Sequence, residues 1–276
     1  MNLLSQYTGV GLTVSRGWKM IIPASKTINF TKAGYCRLTL VGAGGSGAAL
    51  SRINGMGGTG GNSAPWGVKV FQVSAGSSLA ITLGAGGAQP AASSNGLQGS
   101  TSTAVLNGTT ILTAQGGEGG VYRSGAGVVD APVPSAALIG ADFYVPGVRA
   151  GSVTVAAGDY RTGGGAAVDI LQTGRGRSPN VTTASTAPGG AVGSDDGILP
   201  LQYLLFEDFG LTSVGVGYGA VASSRVATAF GGGAGNNTSI TYTNAGLGAG
   251  GAAGDISSAV GLGGNAYAYL VFEATE

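Results

Sequence analysis

The chain has no histidine among its 276 residues and only one cysteine. Without histidine, neither a histidine-dependent catalytic triad nor a histidine metal site can form. The cysteine, Cys36, cannot form an intrachain disulfide, so stability must come from packing and hydrogen bonds. Because Cys36 stands in a strand-like stretch, we expect a buried structural thiol rather than a reactive one.

Long apolar stretches are also missing. No window holds about 18 uninterrupted apolar residues, and the N-terminus lacks the basic start and apolar block of a secretory signal. The sequence therefore predicts neither a membrane-spanning helix nor a cleaved signal. Charged residues make up only 9% of the chain, which is 43% hydrophobic with a net charge of +1. Disordered proteins have low hydrophobicity and high net charge, so we expect a packed fold.

Acidic residues are absent from residues 1–117, which carry seven lysines and arginines. A basic half could face an anionic surface such as nucleic acid or lipopolysaccharide. The basic residues are spread through strand-like sequence rather than clustered. This distribution favours simple solvation of a poorly charged fold, with an acidic partner protein as the alternative, and we expect no nucleic-acid partner.

Glycine is the residue in excess, with 56 copies. A collagen helix is excluded because glycine is below one residue in three and there are only 9 prolines. A Gly-Ala-Gly-Gly block follows a strand-like stretch in residues 41–46 and 83–88 and recurs in residues 247–252. Glycines within the runs often stand three residues apart, which is the period of the polyproline-II conformation.

This period predicts that the glycine runs pack side by side as polyglycine-II-type segments. Glycine fits where such helices meet because it has no Cβ, and N–H groups bonded to adjacent runs would offset the entropy cost of ordering it. Flexible linkers are the alternative. The glycines to which we assign a structural role are Gly42, Gly44, Gly45, Gly55, Gly58, Gly61, Gly84, Gly86, Gly87, Gly248, Gly250 and Gly251.

Short alternating stretches of β-branched and aromatic residues between the runs predict an all-β fold with almost no helix. We predict short antiparallel strands in a sandwich-like arrangement, combined with the packed glycine segments. The spacing of residues 68–73 and 79–83 predicts one hairpin, and the Asn107-Gly108 turn between residues 101–106 and 109–113 predicts another. Residues 266–273 form the last predicted strand.

The regular alternation of strands and glycine runs is interrupted between Val121 and Thr228, in a region richer in proline, charged and aromatic residues. Tyrosine offers a large amphipathic contact area at low entropy cost, and arginine offers forked hydrogen bonds, so this region is our candidate for ligand recognition. For each aromatic residue the alternative is a place in a thin core. The candidate receptor-binding residues are Tyr122, Arg123, Phe143, Tyr144, Arg149, Tyr160, Arg161 and Tyr218.

The sequence contains only weak matches to catalytic, cofactor-binding or metal-binding motifs. Residues 42–47 fit G-x-G-x-x-G after a strand, but no helix pattern follows and the first acid is Glu118, so a dinucleotide site is not expected. The paired acids Asp195-Asp196 and Glu207-Asp208 have no metal-loop spacing. Two distant carboxylates could still act as in glycosidases, and the sequence leaves that open. We predict no catalytic residues, cofactor or metal.

The repeated elements resemble the glycine-rich domain of bacteriophage tail-fibre and receptor-binding (adhesin) proteins. A strand ending in Leu-Val-Gly-Ala-Gly-Gly, another ending in Ile-Thr-Leu-Gly-Ala-Gly-Gly-Ala, and the closing Gly-Leu-Gly-Gly-Asn-Ala-Tyr-Ala-Tyr-Leu-Val-Phe-Glu carry the resemblance. It covers about residues 27–120 and 228–276. It implies packed polyglycine helices whose intervening loops bind the host, as in the tip adhesins of T-even-type phages.

The resemblance implies three parts and a role in the virion. Residues 1–26 would dock to other tail or fibre proteins, residues 27–120 and 228–276 would form the glycine-rich body, and residues 121–227 would carry receptor-binding loops. The protein would be made in the host cytoplasm, act at the tail fibre or tail tip as a homo-oligomer, with a trimer as the usual fibre symmetry, and bind an outer-membrane protein or polysaccharide. The alternatives are an architectural head-decoration or tail-shaft subunit and, third, a capsule-degrading enzyme.

Overall fold

The computed structural model describes residues 17–51, 56–134, 137–155, 160–162, 165, 245, 248–251, 253–255 and 260–275. Seventeen strands lie in this part of the chain, and it contains no helix, so none there is long and apolar enough to cross a membrane. The all-β prediction is confirmed. In chain order the strands are β1 Trp18–Ile22, β2 Lys26–Asn29, β3 Gly34–Val41, β4 Ala49–Leu50, β5 Met56–Gly58, β6 Trp66–Val73, β7 Ser78–Thr82, β8 Ser102–Leu106, β9 Thr109–Ala114, β10 Tyr122–Ser124, β11 Gly127–Val129, β12 Leu138–Ile139, β13 Phe143–Val145, β14 Val153–Val155, β15 Tyr160–Thr162, β16 Gly254–Asp255 and β17 Tyr267–Ala274.

Two five-stranded antiparallel sheets form a sandwich. Their strand orders are β1-β17-β3-β6-β13 and β12-β9-β8-β7-β2. Alternate residues of each strand point between the sheets, and they form one hydrophobic core. Its fully buried members include Leu38 and Leu270 from the first sheet and Leu79, Ile81 and Leu112 from the second.

The two predicted hairpins have different outcomes. β8 and β9 pair across Asn107 and Gly108, whose φ angles of 48° and 81° are the positive values that this turn requires, so that prediction is confirmed. The hairpin predicted for β6 and β7 is wrong, because β6 pairs with β3 and β13 whereas β7 pairs with β8 and β2. The intervening residues carry the chain from one sheet to the other, with both flanking strands facing the same core.

Three aromatic rings close one end of the sandwich. The centroid of Phe272 lies 5.3 Å from that of Trp18 and 5.4 Å from that of Phe30. Trp18 belongs to β1, which pairs along its whole length with β17, and Thr275 donates its N–H to Ala33 O at the same end. The first and last described residues therefore lie together at this end. The docking role of residues 1–26 stays a prediction, and residues 1–16 lie outside the described part.

In the described part of the chain, eight runs, most of them rich in glycine, continue from the other end of the sandwich. We number them run 1 (residues 42–49), run 2 (59–65), run 3 (84–88), run 4 (94–100), run 5 (115–121), run 6 (146–150), run 7 (248–251 and 253–254) and run 8 (260–266). Their hydrogen bonds join one run to another and advance by three residues. Run 1 donates to run 2 in this way, from Gly42 to Pro65, from Gly45 to Asn62 and from Ala48 to Thr59.

Run 1 lies at the centre of the set. Besides run 2, it donates backbone N–H groups to runs 4 and 8 and accepts from runs 3, 5 and 7. Runs 3, 1 and 2 form a layer. Run 2 bonds runs 5, 6 and 7, and run 3 bonds runs 4 and 8. Runs 4, 5 and 6 therefore lie on one side of this layer, and runs 7 and 8 lie on the other. Every residue of runs 1 and 2 is buried.

The runs approach closely because glycine has no side chain. A Cβ added at Gly44, Gly86 or Gly250 would fall within 3.0 Å of the backbone of a neighbouring run, closer than real Cβ atoms come. The three-residue advance of the hydrogen bonds and this close approach support polyglycine-II-type packing, which stays a prediction. Gly55 lies outside the described residues.

We expect the Cys36 thiol to be inert in the native protein. It is 1% exposed in the sandwich core, and burial raises its pKa to about 12, so almost no thiolate forms near neutral pH. A thiol reagent such as a nitrobenzoate disulfide should react with native protein at the rate of unfolding and with protein in guanidinium immediately. Fast labelling under native conditions would contradict the burial of this strand.

Candidate functional site

Away from the sandwich, several runs end at short strands, and we call this end of the runs the distal end. Run 1 leaves the sandwich at Gly42 and ends in β4, while run 2 begins after β5 and returns to the sandwich at β6. Run 5 likewise starts from β9 and ends at β10, and run 6 leads from β13 to β14. The distal end thus lies opposite the aromatic end where Trp18 and Thr275 are found.

Four of the predicted site residues meet in one small sheet at this end. β5 pairs with β10 on one side and with β15 on the other, and we call these three strands the distal sheet. Gly57 stands opposite both Arg123 and Arg161, and Met56 stands opposite Tyr160. For Tyr160 and Arg161 the structure describes the backbone alone. Gly57, between these two arginines, has no side chain, so another element can pack closely on one face of the distal sheet.

A two-stranded ribbon covers that face. β11 and β14 pair antiparallel, and we call them the distal ribbon. A Cβ at Gly57 would collide with Val155 and lie 3.3 Å from Val129 Cγ2, so the ribbon packs directly on β5. Val129, Val153 and Val155 are buried there as a separate cluster. The opposite face of the distal sheet packs on Leu50 of β4 and on Ala48 and Ala253, which precede β4 and β16.

The two described arginines of the candidate set bind carbonyl groups of the protein itself. Arg123 Nη1 donates to Val128 O at 2.8 Å, beside Gly127, whose φ of +131° suits glycine. Arg149 Nε donates to Ala131 O at 2.8 Å, and its guanidinium lies 4.0 Å from Asp130. Both side chains therefore hold the distal ribbon and the residues next to it, while remaining exposed at their ends.

Tyr122 faces the other side of the distal sheet. Its hydroxyl donates to Met56 Sδ at 3.5 Å, and the ring packs against the small cluster around Leu50. The side chain is half-buried. The alternative of a core role thus has support for this residue, and its receptor role stays a prediction.

Phe143 and Tyr144 lie elsewhere. They belong to β13, the edge strand of the sandwich, where they are 49% and 45% exposed. The adjacent Asp142 has a pKa below its ordinary value, because Lys69 Nζ donates to it at 2.7 Å and the backbone N–H of Val70 also does. These aromatics form a surface separate from the distal end. Tyr218 lies outside the described residues.

The sequence did not single out the most exposed apolar residues near the distal end. Val128, on the outer face of the ribbon, is 52% exposed, and Val133 is 72% exposed. Val128 pairs with the exposed Thr154. The alternation of buried and exposed positions in residues 127–129 and 153–155 could have identified this face, but both strands are only three residues long.

The distal surface presents exposed valine, threonine and arginine side chains. In the part of the chain that the structure describes, no three acids or cysteines come together in a way that could hold a metal ion. No protein-family model matches the chain, and no curated protein is significantly similar to it. The family resemblance therefore depends on the residues quoted above.

Proposed function

We propose that the protein is a virion component of a tailed bacteriophage, located at the fibre or tail tip, that binds the host-cell surface noncovalently through its distal sheet and distal ribbon. The observation that supports this proposal is the separation of the two ends. The distal sheet and distal ribbon lie opposite the aromatic end where Trp18 and Thr275 are found, which suits attachment at one end and recognition at the other. Loops on a backbone-bonded scaffold can change without changing the scaffold.

The ligand would be an outer-membrane protein or a polysaccharide. The outer face of the ribbon carries Val128 and Thr154, an apolar side chain beside a hydroxyl, and no charge in that pair. Such a face favours a neutral or amphipathic surface over an ionic one. Attachment to other tail proteins through residues 1–26 and assembly into a homo-oligomer are parts of the same proposal.

A charged face on the ribbon should abolish this binding. We expect purified native protein to compete with phage for adsorption to host cells, and the Val128→Lys/Thr154→Lys variant to need at least about tenfold more protein for the same inhibition, because lysine charges buried without partners at the contact cost more than the about 1.4 kcal/mol that tenfold represents. The matched control is Thr27→Lys/Thr82→Lys, two exposed positions on the second sheet of the sandwich. Equal loss in both variants, or no loss in the first, would remove the ribbon from recognition.

An architectural head-decoration or tail-shaft subunit is the runner-up, and a capsule-degrading enzyme is third. Copy number separates the first two, because a few to some tens of copies per particle suit a fibre and hundreds suit a decoration protein. Release of reducing sugar from host polysaccharide would identify the enzyme. Labelling the protein in imaged particles tests position directly.

A further inference from the structure

The backbone hydrogen bonds do not by themselves decide how each glycine run aligns with its neighbour. They repeat every three residues, as from Gly42 to Pro65 and from Gly45 to Asn62. A run shifted by three residues would therefore present the same donors and acceptors. Glycine has no side chain of its own to penalise the shift, so the register depends on the residues between the glycines, which are excluded from the positions that only glycine fits and which make their own hydrogen bonds. Something other than the backbone must set the register.

The side chains that follow a Gly-Gly pair make hydrogen bonds that do not repeat every three residues. Ser46 Oγ accepts from Leu97 N at 2.8 Å, and Asn265 Oδ1 accepts from Gly86 N at 3.0 Å. Asn62 and Glu118 bond each other, at 2.9 Å between Nδ2 and Oε2. Each of these residues occupies the third position of Gly-Gly-X, and each bond joins two different runs.

The Asn62 side chain makes three hydrogen bonds. It donates to Glu118 Oε2 and Pro132 O, both at 2.9 Å, and accepts from Ala150 N at 2.8 Å. Asn62 is 0% exposed. Displacement by three residues would leave a buried amide without partners, which is costly.

The neighbours of Asn62 in run 2 add two more bonds of this kind. Thr59 Oγ1 accepts from Val121 N, and Ser63 Oγ accepts from Val148 N, each at 2.8 Å. Both hydroxyl residues are fully buried. Run 2 therefore holds run 5 just before β10 begins, and it holds run 6 just before β14.

We propose that Asn62, supported by Thr59 and Ser63, is a positioning residue that sets the register of runs 5 and 6 on run 2 and so places the distal sheet and ribbon. A single buried polar residue sets the register of coiled coils in the same way, by making every other alignment leave it unsatisfied. The consequence for host binding rests on the proposed function, whereas the register itself does not.

Hydrogen exchange measured by mass spectrometry tests the proposal on the full chain. In Asn62→Ala, we expect amides of residues 121–124 and 148–155 to exchange at least about tenfold faster, because Ala150 N loses its acceptor and the bonds that hold Glu118 and Pro132 to run 2 are removed. Amides of β3 and β17 should keep their native rates. Asn265→Ala, at another Gly-Gly-X position, should leave both distal segments unchanged. Unchanged exchange in Asn62→Ala, or equal acceleration in all runs, would overturn the proposal.

Asn62→Asp provides a second readout if the alanine variant does not fold. The new carboxyl keeps its acceptor for Ala150 N but faces Glu118, with Asp130 and Arg149 as the charged groups of the nearby segment. Like charge and burial raise the folded-state pKa of the carboxyl pair above its unfolded value. The folded state then binds more protons, so the Tm deficit of Asn62→Asp should shrink as pH falls. A Tm deficit that does not depend on pH would mean that Asn62 does not donate a hydrogen bond to Glu118.

The adsorption assay separates failure of this proposal from failure of the proposed function. If native protein competes with phage, Asn62→Ala should lose competition as Val128→Lys/Thr154→Lys does. Full competition by a variant with accelerated distal exchange would overturn the positioning role. If native protein does not compete, the proposed function fails, and the exchange result still decides whether Asn62 sets the register.

Discussion

Gly44→Ala should yield no cooperatively folded protein. The new Cβ would overlap Ala249 O and the carbon that bears it, and these are backbone atoms that no rotamer change can move. Gly44 is also bonded on both sides, to Gly264 O through its N–H and to Gly87 N through its carbonyl. Relief of the overlap would separate run 1 from runs 3, 7 and 8 together. Circular dichroism during thermal unfolding, with soluble yield, measures the effect.

Gly76→Ala is the matched control. Nothing lies within 4 Å of a Cβ at Gly76, but its φ of +86° costs an alanine about 1–2 kcal/mol. We expect this variant to fold and to melt in one transition at a moderately lower temperature. If Gly44→Ala melts within a few degrees of Gly76→Ala, run 1 is not packed as described.

Phe272→Ala should cost about 3–5 kcal/mol of the free energy of unfolding, the range found when a buried phenylalanine is truncated. The ring is 4% exposed, stacks on Trp18 and packs on Phe30. It also lies over Gly34, where a Cβ would come within 2.8 Å of the ring. The substitution therefore removes the ring that lies between Trp18 of β1 and Phe30. Urea unfolding at constant m-value gives the difference.

Tyr35→Ala provides the comparison on the neighbouring strand. Tyr35 stands opposite Glu273 in β17 and is 48% exposed. We expect its truncation to change the free energy of unfolding by no more than about 0.5 kcal/mol, as for most surface substitutions. Similar losses for the two variants would mean that the aromatic cluster does not anchor the ends of the chain.

The local sequence correctly predicted strands and one turn. The alternation in residues 37–41 lies within β3, and Asn107 and Gly108 have the backbone angles that their pairing requires. The partner of β7 could not be predicted, because the spacing after β6 gives the length of a connection and not the sheet that the next strand joins. That choice depends on which side chains share the core.

The candidate site, too, could be predicted only in part. Aromatic and arginine content identified Tyr122 and Arg123, but their neighbour β5 is a three-residue strand of methionine and two glycines, distant in sequence and without a strand signal. The pattern also could not distinguish Phe143, in the edge strand of the sandwich, from residues of the distal end. Nearly identical glycine blocks likewise hide which run neighbours which, since polar residues such as Asn62 make the difference.

The buried centre of runs 1 and 2 has a thermodynamic consequence. These runs bury mostly peptide groups, whereas the sandwich buries leucine, isoleucine and phenylalanine. Exposure of apolar surface raises the heat capacity on unfolding, by about 0.45 cal/mol/K per Å², and exposure of polar surface lowers it by about 0.26. The two parts of the molecule therefore change the heat capacity in opposite directions, and we expect the heat-capacity change per residue to be smaller than in a domain with an ordinary core. A smaller value flattens the stability curve, so we expect stability to vary little between cold and warm surroundings, which calorimetry measures.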